Sequence, residues 1–574
     1  MFPQKQTFIL MLVLLLGCRG TTESEKEASA SLDERIQELV RLSEVTGLSI
    51  AVVRDGAPEW VGTYGVKHAE TGEPIQDDTM FEAASLSKPV FAYAVHRLAE
   101  RGEIDLDKPL AEYLPYERLE HDPRYKKITA RMVLSHSSGL PNWGGTPLEM
   151  VFDPEERFGY SGEGFVYLQK VVEKITRARL NELVTREVFG PLGMSRSSYV
   201  WSEEYTEVMA TGHSPMGDPL DKTRRAGGDG NTAWSLLTTS GDYAKFVAAL
   251  LNRRGLEPAT WDEMLTPRVQ VVDRESEEEL FDNVYWGLGV GLQRGDSGDA
   301  FFHWGHNNGY RAYVIGYPEK GVGLVYFTNS DEGLSIAEAI VEEVVHDSHD
   351  ALHWLNYDKY DAPGRLVRRS LERTFKEKGV EEGTELYNEQ KAEHPDLEYE
   401  PLMNSLGYAL LRTEAVNEAI AVFQLNVEGF PASSNVYDSL AEAYMTAGKD
   451  EVAIENYERC LELEPDNSGA TSRIEWIRES IAARKNPAKL SEAELRKLAG
   501  RYGPFNVSLS NGDLFASADM LREDYRLIPM SKEEFMLEGM GVYRLQFVFD
   551  DEGHATKLVG FHANGNKNEA DRNP

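Results

Sequence analysis

The chain has 574 residues, enough for roughly three to four domains, so no single activity accounts for all of it. Hydrophobic residues at 41% and aromatic residues at 10% fit folded globular protein and exclude both a wholly disordered chain and a polytopic membrane protein. With 60 Lys+Arg against 96 Asp+Glu the net charge is −36, which repels phosphate backbones and argues against nucleic acid as a partner, and two cysteines cannot build a disulfide framework.

In chain order, Lys5 precedes an apolar run, Phe8 to Leu16, followed by Gly17-Cys18. The run is too short to cross a bilayer, which takes about twenty residues, and residues 1–17 read as a secretory signal peptide. Leu15-Leu16-Gly17-Cys18 resembles a bacterial lipobox, which implies cleavage before Cys18 and lipid on its sulfur. A plain secretory signal with a coincidental cysteine is the alternative. Residues 18–32, with the small polar stretch Thr21 to Ser31, read as a flexible lipidated tether. The expectation is an exported cell-envelope lipoprotein of the periplasm or outer membrane, otherwise a secreted protein, touching membrane through its lipid anchor only.

Residues 33–356 mix helical and strand patterns. Leu32 to Val45 has helical spacing; Leu48 to Val53, Asp55-Gly56 and Trp60 to Val66 read as strand, tight turn and strand. Near the end, Tyr310 to Tyr317 and Val322 to Thr328 flank a turn at Pro318 to Gly321, before a helix expected over Ser335 to Leu355. Strands at both ends with helices between predict an α+β domain whose terminal segments share one antiparallel sheet. Next, Ala419-Ile420, Phe423 and Pro431 recur 34 residues later as Ala453-Ile454, Tyr457 and Pro465, the tetratricopeptide period. A weaker copy with Tyr387 and Pro395 predicts three units over 364–467 within a helical domain spanning 364–485, and makes Cys460 a buried small apolar residue. Residues 490–565 read as a small β domain with hairpins around Asn511-Gly512 and Asp550 to Gly553, and residues 566–574 as a disordered tail.

Chemistry concentrates in the first domain. Ser85-Leu-Ser-Lys88 opens an amphipathic helix to Arg101, closed by Gly102, directly after an expected strand from Thr79 to Ala84. Three residues along a helix put Lys88 on the face of Ser85, within hydrogen-bonding reach, where an amine can take or hold the hydroxyl proton. Tyr160-Ser161-Gly162 occupies a turn before the helix Phe165 to Ile175, and a tyrosine near a lysine can lose its proton more easily. His303-Trp304-Gly305 comes just before the strand from Tyr310, with a glycine that lets a substrate approach the backbone. Each has an ordinary structural reading alone: an N-cap serine, a turn tyrosine, a satisfied histidine.

The order Ser-x-x-Lys, Tyr160-Ser161-Gly162, His303-Trp304-Gly305 resembles the serine β-lactamase and D-alanyl peptidase family, in its class C-like branch of esterases and aminohydrolases. Leu134-Ser-His-Ser-Ser-Gly-Leu-Pro141, His303 to Tyr310 and Thr328 to Asp331 support it, over residues 33–356. The arrangement resembles a known bacterial combination of this hydrolase with tetratricopeptide repeats. The resemblance implies Ser85 as the nucleophile of an acyl-enzyme, Lys88 and Tyr160 sharing general base and acid work, and an oxyanion hole of the Ser85 and His306 N–H groups. His303 and Gly305 would line the substrate site, His303 replacing the family's lysine. It implies no metal and no organic cofactor. Gly162 stands where the family usually has asparagine, which orients a substrate amide, and His303 removes a permanent cation. Both departures point away from penicillins and towards an esterase or a D-aminopeptidase-like hydrolase acting on small-molecule or peptide substrates. His136 reads as a turn-fixing residue, and Glu275, Glu277, Glu278 and Glu279 as a solvated face. The repeats imply a protein partner. A catalytically silent binding or scaffold protein is the alternative; intact Ser85, Lys88 and Tyr160 argue against it.

Overall fold

The computed structural model describes residues 23–220, 228–274, 276, 279–295, 298–346, 350–518, 524–562 and 567–573, with backbone alone for 23–30 and 542. The signal peptide, Cys18, Glu275, Glu277 and Glu278 lie outside the described residues. The chain divides into two compact units, with the boundary between Tyr360 and Asp361.

The first unit is built on a nine-stranded sheet. An interior strand, Gly47–Arg54, has apolar or small residues at nearly every position, because both faces of the sheet are covered. This strand pairs antiparallel with Ala57–His68 on one side and with Val322–Thr328 on the other, in register Leu48 to Thr328, so the two ends of the domain share one sheet. Tyr310–Tyr317, Ala300–Asn307, Gly291–Gln293, Leu280–Trp286 and Val269–Val272 continue the order. On one face, Ile50, Val52, Tyr313 and Tyr326 share a core with Leu32 and Ile36 of the helix Glu23–Ser43 and with Ile340 and Val344 of the helix Ala337–Val345. On the other, Ala51, Val53, Val325 and Phe327 share a core with the helices Ser87–Glu100, Gly162–Thr176 and Ser240–Leu251.

Four expectations are corrected. Residues from Glu23 onward are helical and not an irregular tether, since Glu, Lys and Ala are good helix formers and the turns continue into the amphipathic segment. The helix expected over Ser335 to Leu355 is two, Ala337–Val345 and Asp350–Leu355, the first ended by left-handed His346. The strand before Ser85 shrinks to Phe81–Glu82, paired with Leu237–Thr238. The tail residues Lys567–Asp571 form a strand against Ala555–His562 and are ordered by their backbone partners, a gain that polar side chains do not advertise in sequence.

In the second unit the helices Pro363–Lys378 and Val380–Glu393, Tyr399–Arg412 and Val416–Gly429, and Ser434–Thr446 and Asp450–Leu463 form three successive hairpins, followed by Ser468–Lys485. Cys460 is buried with its thiol pushed up to about 11 by burial. The remainder is an eight-stranded antiparallel sheet from Gly500–Tyr502 to Lys567–Asp571, whose ends meet through a Tyr502–Arg572 bridge, giving a nearly closed barrel. At its Asn511-Gly512 turn both residues have positive φ, 52° and 87°, as a type I′ hairpin requires. Arg544 of the barrel lies 3.8 Å over the Trp476 ring of the helix Ser468–Lys485 and donates to Ser480 Oγ at 2.9 Å, which ties barrel to repeats.

Candidate active site

Ser85 sits in a single 3-10 turn, Ala84–Leu86, immediately before the helix Ser87–Glu100. The turn is held from several sides. Ala83 N donates to Leu236 O at 2.8 Å, and Leu236 N donates to Ser87 Oγ at 3.0 Å. Ala84 takes a left-handed φ of 48°, uncommon for a residue with a side chain, directly before Ser85. Gly305 explains how the strand Ala300–Asn307 packs against this turn: a Cβ there would stand 2.6 Å from Ala83 O.

Lys88 is buried, and its Nζ donates to Ser85 Oγ at 3.0 Å and to Ala233 O at 2.9 Å. Among the described residues no carboxylate neutralises it, so burial lowers the amine to about 7, and near neutral pH a large fraction carries no charge. Tyr160 lies with its ring centroid 4.7 Å from Lys88 Nζ. Burial pushes its phenol up, with the adjoining Ser85 hydroxyl pulling the other way, and its Oη closes no well-formed hydrogen bond. The expected easing of Tyr160 deprotonation is therefore reversed: burial penalises the phenolate by more than the Ser85 hydroxyl favours it. The residue is a neutral donor.

His136 fastens the Tyr160 segment at two points. Its Nδ1 accepts from Ser161 N at 3.0 Å, its carbonyl accepts from Gly159 N at 2.8 Å, and its ring lies 4.4 Å from that of Tyr160. Ser161 caps the helix Gly162–Thr176 by accepting from Gly164 N.

His303 and His306 separate by strand alternation. Trp304 and His306 line the pocket with Ser85, whereas His303 faces inward, fully buried, beside Trp286 and Tyr160. The structure thus corrects the expectation that His303 lines the substrate site. Burial, with the nearby Lys88, lowers its ring to about 3; the residue is neutral and supplies no cation. His306 stands at the rim, its Nδ1 3.2 Å from Tyr357 Oη.

The pocket encloses about 720 Å³ above Ser85 and Tyr160. Sequence reasoning missed most of its wall: Asn142, Trp143, Phe152, Trp234, Trp354 and Tyr357 come from loops and from the end of the unit, with no spacing that joins them to Ser85. Ala233, whose carbonyl orients Lys88, carried no signal because a backbone atom has no sequence signature. Among the described residues no cluster of His, Cys, Asp or Glu is arranged to hold a metal ion.

Residues 32–344 match the family described as beta-lactamase. The chain belongs to the beta-lactamase family. Its first unit has the serine hydrolase fold shared by β-lactamases, penicillin-binding proteins and related esterases. Residues 434–467 match the tetratricopeptide repeat. Similar proteins include penicillin-binding protein 4* of Bacillus subtilis, 25% identical over 53% of this chain and 71% of that protein. Penicillin-binding protein 4 of Amycolatopsis lactamdurans is 25% identical over 55% and 89%. Esterase EstB of Burkholderia gladioli is 30% identical over 30% and 52%. A solved D-alanine carboxypeptidase AmpC from Burkholderia cenocepacia aligns over 56% of this chain and 99% of its own, with 20% identity and a TM-score of 0.47.

Proposed function

We propose that this beta-lactamase-family chain hydrolyses esters or amides through an acyl-enzyme on Ser85. The observation that carries the proposal is a buried, carboxylate-free lysine 3.0 Å from the serine oxygen, its amine lowered to about 7. In the neutral form of Lys88 the Ser85 hydroxyl donates to Nζ. As Oγ attacks the substrate carbonyl the proton passes to Nζ, and the oxyanion is met by the N–H groups of Ser85 and His306. The ammonium then returns its proton through the neutral phenol of Tyr160 to the leaving group, and water, activated by the same amine, releases the acyl group from Oγ. No step requires a metal or organic cofactor.

Ester substrates are favoured over penicillins. Gly162 offers no side-chain amide, and His303, neutral and turned away from the pocket, supplies no cation to attract a substrate carboxylate. The names of the relatives span both possibilities, penicillin-binding proteins and an esterase. The full chain treated with a fluorophosphonate probe, a fluorescent penicillin and p-nitrophenyl esters, beside Ser85→Ala, tests this. Labelling and ester turnover that Ser85→Ala abolishes are expected; neither in the native chain refutes the hydrolase, and penicillin labelling without ester turnover refutes the ester preference.

Export and anchoring through Cys18 belong to the same proposal, on the strength of the Leu15-Leu16-Gly17-Cys18 stretch. Cys18→Ala is expected to release the protein from membranes; unchanged fractionation refutes the anchor. The repeats are proposed to bind a protein partner, bringing the hydrolase to it on the envelope.

A further inference from the structure

Among the described residues nine large apolar side chains are exposed, and three of them, Trp143 at 52%, Val151 at 57% and Trp234 at 43%, line the pocket that contains Ser85. Indole surface left in water is costly, and its concentration at the mouth of a reactive pocket marks a binding surface for an apolar group.

The loop carrying Trp143 is held in place without any ligand. Arg118 Nη2 donates to the carbonyls of Gly144 at 2.7 Å and Gly145 at 2.8 Å, while Arg118 Nη1 pairs with Glu163 at 2.7 Å. Glu163 in turn accepts from Gly144 N at 3.3 Å. Gly162 N donates to the Asn142 side-chain oxygen at 3.0 Å. A surface fixed in advance loses little entropy when it binds.

Gly162 is what admits the ring. Its φ is not in the left-handed region, so its backbone makes no demand for glycine. A Cβ at this position would stand 2.8 Å from Trp143 Cη2 and Cζ2 and 2.9 Å from Asn142 O, so any side chain would press both the indole and the backbone of the loop that carries it away from the mouth. The space where a polar side chain next to Tyr160 would reach the substrate is filled by an indole edge.

We infer that Trp143, Val151 and Trp234 form a subsite for a large apolar group of the substrate, an alkyl or aryl chain carried on either its acyl or its leaving side, and that Gly162 is retained to make room for Trp143. The inference rests on Ser85 being the nucleophile, since subsite and serine share one pocket. Full burial of a methylene is worth about fourfold in affinity, and burial on an open mouth about half of that free energy, or about twofold.

The test is the rate of Ser85 labelling in the full chain by alkylphosphonofluoridates, lengthened from methyl to octyl either on phosphorus, which mimics the acyl side, or on the ester oxygen, which mimics the leaving side. One series is expected to accelerate about twofold per added methylene, and which one does so assigns the side. Trp143→Ser, Trp234→Ser and Gly162→Asn are expected to flatten that dependence, read per labelled site so that unfolded protein does not count; Trp143→Phe should retain most of it. Labelling that is indifferent to length in both series overturns the subsite while leaving the hydrolase intact. A length dependence unchanged in the three flattening variants overturns the assignment to these residues, and no labelling of Ser85 by any member overturns the hydrolase reading itself.

Discussion

The floor and the mouth of the one pocket are built on opposite principles. On the floor, Lys88, Tyr160, His136 and His303 are enclosed, all held in their neutral forms or poised at neutrality by desolvation, and Tyr160 Oη, His136 Nε2 and His303 Nε2 have no hydrogen-bond partner. At the mouth, Trp143 and Trp234 face water on loops fixed by ion pairs and backbone hydrogen bonds. On the proposed function, the contrast assigns reactivity to the removal of water around a lysine, and selectivity to apolar surface that keeps its contact with water until a substrate covers it. A helix start and a strand hold Lys88 and His303 of the floor, and the turns that carry His136 and Tyr160 are fastened to each other; loops hold the mouth.

The largest effect should come from breaking the floor at Lys88. Lys88→Met is expected to lower kcat/KM by about 10³-fold or more while raising the thermal midpoint, because it removes both the base and a buried amine. A lowered midpoint would contradict a costly desolvated lysine. The same amine sets two pH dependences. Activity should fall about tenfold per pH unit below about 7, as the base is protonated, and level off above it. Because the folded-state value lies below the unfolded one near 10.5, the unfolded chain binds more protons between those limits. Stability should therefore rise with pH across that window, an increment that Lys88→Met abolishes in a urea titration at several pH values.

Tyr160→Phe comes next, with an expected loss of about 10- to 100-fold in turnover and no loss of stability, since the hydroxyl leaves no broken hydrogen bond behind. Gly305→Ala should cost roughly 1–3 kcal/mol and slow Ser85 labelling, because its Cβ presses on the Ala83 carbonyl that supports the serine turn. Chemical denaturation and labelling kinetics on one sample check both. The smallest effect belongs to the mouth: Arg118→Met frees the Trp143 loop and should slow long-chain labelling by a few fold while leaving methyl probes within about twofold. An equal loss for both chain lengths would merge mouth with floor and break the distinction.

The floor was legible in spacing only at Ser85 and Lys88; Tyr160, far along the chain and outside any helix or strand, was singled out through the family resemblance. Three residues on a helix bring Lys88 to Ser85, and His136 was legible as a turn residue, though not as the clamp on Tyr160. His303 was misplaced, since strand parity decides between pocket and interior and it lies in a strand of its own, Ala300–Asn307, ahead of the expected strand Tyr310–Tyr317. The mouth was not legible: Trp143, Trp234 and Tyr357 are far apart in the chain and meet only through long-range packing.

In the second unit the 34-residue repeat was visible because each hairpin repeats the same local packing, and Val416–Gly429 and Asp450–Leu463 are successive copies of one helix. The barrel's last strand was invisible because it is held by backbone hydrogen bonds to Ala555–His562 and by Arg572 donating to Ala499 O and Ala555 O.

By itself, then, the sequence determined the terminal strands, the helical array, the serine–lysine pair and the apolar stretch ahead of Cys18, all carried by local periodicity or short spacing, while the family resemblance added Tyr160. Only the tertiary structure decided that Lys88 is desolvated to the edge of neutrality, that Tyr160 keeps its proton, that His303 turns away from the pocket and that Gly162 makes room for Trp143. Those outcomes depend on which distant atoms exclude water or occupy space, and no single stretch of chain encodes that.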